Sequence, residues 1–438
     1  MGSAFKENDR YVLPHATAPS LLLKHPTEEQ KRRTWTLNHK EWGGALSLQE
    51  YLEREPYVTT IPLSRNGGMT HWILTDAAWT PTGEKQTEPV LASCETIRKP
   101  VLVANPDGSG SATVTDDIAH GIGSVFTYPE HRGNRYAGRM MNELSPALKS
   151  WQTEEKAACS ALWSDIGKEY YAKRGWAAFP SLHVEFSVAA NDPASQAQTS
   201  TTSSSSQGEA EASGVKTTPI SYDNLEALCE RDEQLLRKQI VRTAVATKRK
   251  CVAFVPDHDT MRWHLYRDDF VTSIVFKSSP LPLPPQQLST ASSAKGALAG
   301  AEEGRRVWAL WSRSYGGSDG DDPAQTVDKN TLYILRLVVE PEATTGDGGL
   351  VGDDGDDEDV VAAFAAVMRA ALREARTWHL GKVDLWNPSP AARRLVERCG
   401  LQHRWVDRGA DSIPSMMWYG SEDVRDIEWV ANEKYCWC

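Results

Sequence analysis

The chain has 438 residues, of which 40% are hydrophobic and 24% charged, and its formal net charge is −11. This length allows two domains with sizeable cores. The negative charge argues against nucleic acid as a partner, because no large basic field is available to neutralise phosphates. No run approaches the roughly 20 consecutive apolar residues that span a bilayer, so no membrane partner is expected.

Seven cysteines are scattered along the chain, an odd number without a disulfide pattern. This usage predicts a reducing compartment. The N-terminal segment lacks a basic start followed by an apolar run, so we expect no secretory signal and a cytoplasmic location. The C-x-C pair Cys436 and Cys438 is too weak a signal to predict a metal site.

One segment divides the chain by composition. Residues 189–219 are rich in Ser, Thr, Gln, Ala and Gly and cannot bury enough apolar surface to offset their ordering entropy. We therefore predict a linker between a domain at 1–188 and a domain at 220–438. Residues 279–304 and 341–359 have similarly loop-like compositions.

The first half begins with a helical region and continues with alternating strands and helices. This helical region is predicted over 27–54. The elements expected after it are strands at 69–76, 90–98 with 101–104, and 120–127, a helix at 135–151, a strand at 157–164, a helix at 167–174 and a strand at 182–188. This order predicts an α/β fold with parallel pairing in the middle of the sheet.

The second half repeats this order. The elements expected are a helix at 222–247, strands at 251–255, 307–313 and 332–340, a helix at 360–378, a strand at 382–387 and a helix at 390–398. The final elements include 415–420 and the segment that starts at Glu428. Between 332 and 400 the succession strand, helix, strand, helix matches that of 120–175. A second α/β domain is therefore expected.

The most informative stretch is SVFTYPEHRGNRYAGRMM, residues 124–141. A strand leads into a turn of small residues and then into a helix, which aims backbone N–H groups and a helix N-terminus at one point. Such a point binds phosphate or pyrophosphate. Arg132 adds a positive charge, and Gly133, Ala137 and Gly138 let a ligand approach the backbone closely.

This stretch resembles motif A of the GNAT acetyltransferases, whose phosphate loop reads Gln/Arg-x-x-Gly-x-Gly/Ala. The resemblance implies a GNAT-type mixed sheet flanked by helices, and acetyl-CoA as co-substrate. The residues it assigns to acetyl-CoA are Phe126, Thr127, Arg132, Gly133, Asn134, Arg135, Tyr136, Ala137 and Gly138. Arg135 replaces the middle glycine of the family, where a side chain either crowds the loop or adds a phosphate contact.

Two further resemblances extend the assignment. Residues 165–176, with Tyr170-Tyr171 and Gly175-Trp176, resemble motif B of the same superfamily. Segments at both ends of the chain are similar to the fungal lysine N6-acetyltransferase family, namely 37–55, 331–340, 382–390 and 411–438.

That family transfers acetyl from acetyl-CoA to the side-chain amine of free L-lysine in lysine catabolism. It has a GNAT domain followed by a GNAT-like C-terminal domain. Here the loop after 332–340 is acidic and would repel pyrophosphate. We therefore expect the second domain to bind no CoA and to shape the substrate pocket.

The resemblance makes Tyr171 the general acid that protonates the departing thiolate. An amine must also lose its proton, since an unperturbed lysine side chain has a pKa of about 10.4. The candidate general bases are Glu95, His120 and Asp165, and a chain of water molecules is an alternative. No metal is expected.

Lysine recognition should use acids for the ammonium groups and a cation for the carboxylate. Trp42, Trp418 and Trp429 are candidate cation–π partners. Two other functions stay open on sequence alone. One is acetylation of a different amine, such as a polyamine or a protein lysine, and the other is a non-catalytic acyl-CoA-binding module.

Overall fold

The computed structural model describes residues 12–81, 87–192, 215–277, 294–340 and 356–437. Most of the predicted linker at 189–219 and most of 341–359 lie outside these ranges. Among the helices within them, none combines the length and the apolar character needed to cross a membrane.

The described residues form two β-sheets flanked by helices. The helices are α1 Glu28–Trp42, α2 Leu48–Val58, α3 Tyr136–Ser150, α4 Glu169–Ala172, α5 Tyr222–Thr247, α6 His258–Val275, α7 Asp356–Thr377 and α8 Pro390–Arg398. The strands are β1 Leu21–Lys24, β2 Met69–Asp76, β3 Ala92–Pro106, β4 Ala112–Phe126, β5 Cys159–Ser164, β6 Ala177–Ala178, β7 Leu182–Ser187, β8 Thr217–Ile220, β9 Cys251–Phe254, β10 Gly296–Ala299, β11 Val307–Ser314, β12 Thr331–Val339, β13 Lys382–Trp386, β14 Arg404–Asp407, β15 Ile413–Trp418 and β16 Glu428–Trp429.

The helical region predicted over 27–54 consists of two helices, α1 and α2. The chain turns after α1, where Gly44 has a φ of +57°. Ser47 then caps α2, because its side chain accepts from the Glu50 N–H while the Glu50 carboxylate accepts from the Ser47 N–H. A loop and a new capping box therefore separate α1 from α2, and this break places α2 beside α6.

The first sheet has the order β1-β2-β3-β4-β5-β15-β6, and β9 joins it by pairing with the second half of β3. Its parallel pair in the middle is β4 with β5, from Ala119–Cys159 to Ile122–Leu162. One face of β5 packs through Leu162 against the cluster that contains α3 side chains, and the other packs through Trp163 toward the second sheet. The first sheet thus lies between α3 and the second half of the chain.

The second sheet has the order β14-β7-β13-β12-β11-β10-β8, with β12 and β13 parallel. The succession β12-α7-β13-α8 repeats β4-α3-β5-α4, which confirms the predicted α/β class with a second, similar sheet. Strands from each side of the predicted linker at 189–219 pair with strands from the other side. β7 lies in the second sheet, and β15 completes the first. Each sheet therefore contains strands from both predicted domains. The domain limits 1–188 and 220–438 remain predictions.

Candidate active site

The first feature of the site is a gap between β4 and β5. Their parallel pairing ends at Ile122 and Leu162, although β4 continues to Phe126. On its other side β4 bulges against β3, since Glu95 pairs with Gly123 while Ser93 pairs with Phe126. Such a bulge redirects the strand locally, and it leaves an unpaired edge of β4 where a ligand can lie.

The loop after β4 forms an anion cradle at the start of α3. Gly133 has a φ of +83° and Arg135 a φ of +65°, and the helix begins at the next residue. The first-turn N–H groups of Tyr136, Ala137 and Gly138 have no acceptor within the helix. Together with the positive end of the helix dipole they suit a pyrophosphate.

The conformation of Arg135 explains why the related motif carries glycine there. A left-handed residue with a Cβ costs about 1–2 kcal/mol, and glycine avoids that cost. The Arg135 side chain is exposed and makes no hydrogen bond to any described residue. Arg132 is also exposed, stacks 5.4 Å from the Phe126 ring centroid and donates to the Thr127 carbonyl at 3.3 Å. Two guanidinium groups therefore flank the cradle.

Other loop side chains have structural roles. The Asn134 amide donates to the His131 carbonyl at 3.1 Å, which stiffens the loop. The Tyr136 hydroxyl donates to the Pro14 carbonyl at 2.6 Å, so its ring anchors the N-terminal segment. A Cβ on Gly138 would lie 2.6 Å from Arg174 Nη2, which shows how closely the two sequence motifs approach.

Tyr171 lies in α4, close to the helix that starts at the cradle. It is 7% exposed and packs in the same cluster as Cys94 and Tyr136. Burial raises the pKa of the Tyr171 phenol, and the neighbouring Tyr170, Cys94 and Asp165 raise it further. The phenol therefore remains protonated at neutral pH, as a proton donor must.

Glu95 lies directly beside the bulge. The Ser124 hydroxyl, in a residue with a φ of +51°, donates to Glu95 Oε1 at 2.7 Å. His71 Nε2 lies 3.6 Å from Glu95 Oε2. Burial raises the pKa of the Glu95 carboxyl, although the Ser124 hydrogen bond opposes the shift. A raised pKa is what a carboxylate needs to act as a base near neutral pH.

Glu95, its neighbour His71 and the charged side chains of α2 and α6 that interact with it electrostatically are here called the Glu95 cluster: Arg54, Glu55, His71, Glu95 and Arg267. Arg54 Nε and Nη2 both donate to Glu55 Oε1, at 2.9 and 2.6 Å. Burial raises the pKa of Glu55 and lowers that of His71 to about 4, so the imidazole is neutral. The cluster thus offers a carboxylate and a neutral imidazole beside the bulge.

The other two base candidates lie elsewhere. His120 is fully buried on β4, and its Nε2 bonds to the Trp151 carbonyl at 3.1 Å beyond the end of α3. Asp165 follows β5 and is exposed, and its Oδ1 accepts from the Ser412 N–H at 2.8 Å. His120 therefore holds α3 on the sheet and Asp165 holds the loop before β15. The structure brings only Glu95 to the bulge.

Of the three candidate tryptophans, Trp42 is the one near the cradle. Its ring lies 6.1 Å from Phe126. Trp418 has Lys250 above its ring at 5.8 Å, and Trp429 is buried against Trp163 at 6.0 Å. The last two rings thus serve internal packing.

In the second sheet a cavity of about 760 Å³ lies where β12 and β13 diverge, lined by the ends of both strands, the start of α8 and the C-terminal segment. Where β12 and β13 diverge, the Asn387 side-chain amide donates to the Asn432 carbonyl at 2.7 Å. Glu433 Oε2 accepts from the Leu337 N–H at 2.8 Å. The C-terminal segment therefore forms one wall of this cavity and bonds to both of its flanking strands or their ends.

One group on the second sheet has the chemistry of metal ligands. Atoms of His183, Glu185 and Asp384 lie within 4.8 Å of one another. The Lys382 ammonium is 3.0 Å from Glu185 and 3.2 Å from Asp384, and Arg404 Nε is 2.7 Å from Glu185. These cations already neutralise both carboxylates, so the arrangement is an ion-pair network.

The gap between β4 and β5, the bulge and the helix that starts at the cradle define a GNAT-type α/β fold. The protein is an N-acetyltransferase of this class. Residues 195–438 match the profile of the LYC1 GNAT-like C-terminal domain. Because this match spans more than half of the 438 residues, the chain belongs to that family. The resemblance to fungal lysine acetyltransferases is thereby confirmed.

Individual relatives are distant. A lysine acetyltransferase of Yarrowia lipolytica is 24% identical over 470 aligned positions, which cover 95% of this chain and 100% of the relative. An uncharacterized protein of Saccharomyces cerevisiae is 26% identical over 267 positions, which cover 56% of this chain and 62% of that protein.

Solved structures with similar folds include a probable N-acyltransferase of Enterococcus faecalis. Its TM-score is 0.47 at 11% identity, over 90% of this chain and 71% of that one. N-myristoyltransferase of Saccharomyces cerevisiae with bound myristoyl-CoA has a TM-score of 0.49 at 9% identity, over 95% of this chain and 82% of that one.

Proposed function

We propose that the protein transfers the acetyl group of acetyl-CoA to the side-chain amine of free L-lysine, as a step of lysine catabolism in the cytoplasm. The observation that carries the proposal is the position of Glu95 beside the β4 bulge, next to the gap that leads to the anion cradle. The name of the Yarrowia lipolytica relative supports lysine as the amine. Six described cysteines are free and buried, which agrees with a reducing compartment.

Acetyl-CoA supplies the activated acetyl group when it is bound. The residues that fit its pyrophosphate are those of the cradle, namely the backbone of Tyr136, Ala137 and Gly138 and the exposed side chains of Arg132 and Arg135. A Cβ at Gly133 would meet nothing within 4 Å, so the loop is open toward a ligand. The backbone at Phe126 and Thr127 is the proposed contact for the pantetheine arm.

Glu95 is the proposed general base. The carboxylate takes a proton from the ammonium group of the substrate, directly or through one water molecule, and so exposes the lone pair of the amine. Ser124 fixes one carboxylate oxygen at 2.7 Å, which leaves the other oxygen, on the His71 side, for proton transfer. A neutral His71 adds no competing positive charge there.

Tyr171 is the proposed general acid for the thiolate that leaves. Its buried phenol stays protonated at neutral pH because burial raises its pKa. We further propose that the second sheet binds no CoA and forms one wall of the substrate site, since the C-terminal segment bonds to Leu337 and to Asn387 at the ends of β12 and β13.

The test is a pH profile of kcat/KM for Glu95→Gln, which keeps an oxygen that can accept from Ser124. The base must be deprotonated, so wild-type kcat/KM should rise with pH through the raised pKa of Glu95. The variant should lose about 100- to 10,000-fold in kcat at neutral pH, together with this acid limb. Glu154→Gln, at an exposed carboxylate in the loop between α3 and β5, is the control. Wild-type turnover with an unchanged profile in Glu95→Gln would remove Glu95 from the mechanism.

A further inference from the structure

Arg174, in the turn that follows α4, places its guanidinium group against the first turn of α3. A Cβ built on Gly138 would lie 2.6 Å from Arg174 Nη2 and 3.2 Å from Arg174 Nε. The space that a side chain at Gly138 would take is therefore filled by this guanidinium. Because the N–H of Gly138 belongs to the anion cradle, Arg174 lies beside the cradle as well.

The Arg174 side chain is held in this position by Tyr170. Its Nη1 donates to the Tyr170 carbonyl at 2.5 Å, and its Cζ lies 3.8 Å from the centroid of the Tyr170 ring. The side chain is half-buried, whereas those of Arg132 and Arg135 are exposed. A guanidinium that is already ordered loses less entropy when it binds an anion, so each hydrogen bond it makes contributes more affinity.

Other cations hold the nearby carboxylates on the two helices around Arg174. Glu143 on α3 pairs with Arg139 at 2.8 Å. Glu169 on α4 pairs with Lys173 at 3.2 Å. These acids therefore do not neutralise the charge of Arg174, which lies at the positive end of the α3 dipole. A cation in that place is unfavourable without an anion, and a bound phosphate group supplies one.

We propose that Arg174 binds a phosphate group of acetyl-CoA together with the backbone N–H groups of the cradle. This inference rests on the proposed function and deepens it, since it adds to the cofactor site a cation from the second sequence motif. A guanidinium matches two phosphate oxygens with two parallel hydrogen bonds. Tyr171 lies in the same short segment, so the segment that carries the proposed general acid also recognises the cofactor.

The test measures by calorimetry the binding of CoA and of dephospho-CoA, which keeps the pyrophosphate and lacks the phosphate on the ribose. In Arg174→Met the Kd for CoA should rise about 10- to 100-fold, the loss expected for a charged hydrogen-bonded pair. A similar loss with dephospho-CoA would place Arg174 on the pyrophosphate, and a loss confined to CoA would place it on the ribose phosphate. Lys173→Met is the matched control, because the neighbouring Lys173 pairs with Glu169. Its Kd for CoA should stay within about threefold of wild type.

Gly138→Ala provides an independent variant in which Arg174 is still present. Its Cβ would displace the guanidinium, which is the far end of a flexible side chain, while alanine favours the helix. Gly138→Ala should therefore raise the Kd for CoA when Arg174 is present, and should change it less than about threefold when combined with Arg174→Met. Equal effects in both backgrounds would contradict a role for Arg174.

Unchanged binding of CoA in Arg174→Met would overturn the proposal. A structural role is separated by S-acetylpantetheine, which carries the thioester and no phosphate. Its kcat/KM in Arg174→Met should stay within about threefold of wild type, and equal losses on this substrate and on acetyl-CoA would contradict a phosphate contact. If wild-type protein binds CoA through Arg174 but acetylates no amine, the proposed function fails and the phosphate contact stands. No binding of CoA to wild-type protein would contradict both.

Discussion

Replacing Arg135 by glycine separates the two effects of this residue on the phosphate loop. Arg135 has φ +65° and ψ +19° immediately before α3. The left-handed conformation costs a residue with a Cβ about 1–2 kcal/mol. Glycine loses about 0.5–1 kcal/mol more backbone entropy on folding. Arg135→Gly should therefore stabilise the protein by about 0.5–1 kcal/mol.

The same substitution removes a positive charge from the cradle. Because the side chain is exposed, its contribution to phosphate binding should be modest, and KM for acetyl-CoA should rise about two- to fivefold. Higher salt should reduce the difference from wild type. Arg135→Lys keeps both the charge and the left-handed backbone, so its stability and KM should stay close to wild type.

The assays are denaturant unfolding of the free protein and acetyl-CoA titrations at two salt concentrations. Arg135→Gly that is less stable than wild type would refute the argument from backbone strain. A lower KM for acetyl-CoA in Arg135→Gly would show that the side chain crowds the loop and does not bind phosphate.

Two further substitutions test the roles of buried side chains. Tyr171→Phe should lower kcat with little effect on acetyl-CoA affinity measured by calorimetry, because only the phenolic hydroxyl, and with it the proton donor, is lost; unchanged turnover would remove Tyr171 from the mechanism. His120→Leu should lose the 3.1 Å bond to the Trp151 carbonyl and reduce the free energy of unfolding by about 1 kcal/mol. Turnover per folded molecule should stay unchanged, and a large loss of kcat at unchanged stability would return His120 to the list of bases.

The elements near the cradle could be predicted because their signals are local. The strand expected at 69–76 is β2 with the same bounds, and the helix expected at 135–151 is α3 within one residue at each end. Helix α6 was not predicted. Its buried face includes Thr260, His264 and Asp268, so the apolar periodicity that reveals a helix is interrupted.

The exchange of β7 and β15 between the sheets could not be predicted either. The alternation of residues in a strand shows which face is buried but not which distant strand it pairs with. The site shows the same limit. Glu95 could be singled out as a carboxylate within a strand, whereas His71 becomes relevant only when β2 brings it to within 3.6 Å of that carboxylate.

The most direct test of the central claim is release of CoA thiol by purified protein with acetyl-CoA and a panel of free amino acids, polyamines and lysine peptides, with the product located by mass spectrometry. We expect release with free L-lysine and acetylation of its side-chain nitrogen. Release driven only by polyamines or peptides would contradict lysine as the substrate, and silence across the panel with acetyl-CoA still bound would mean a binding module without transferase activity.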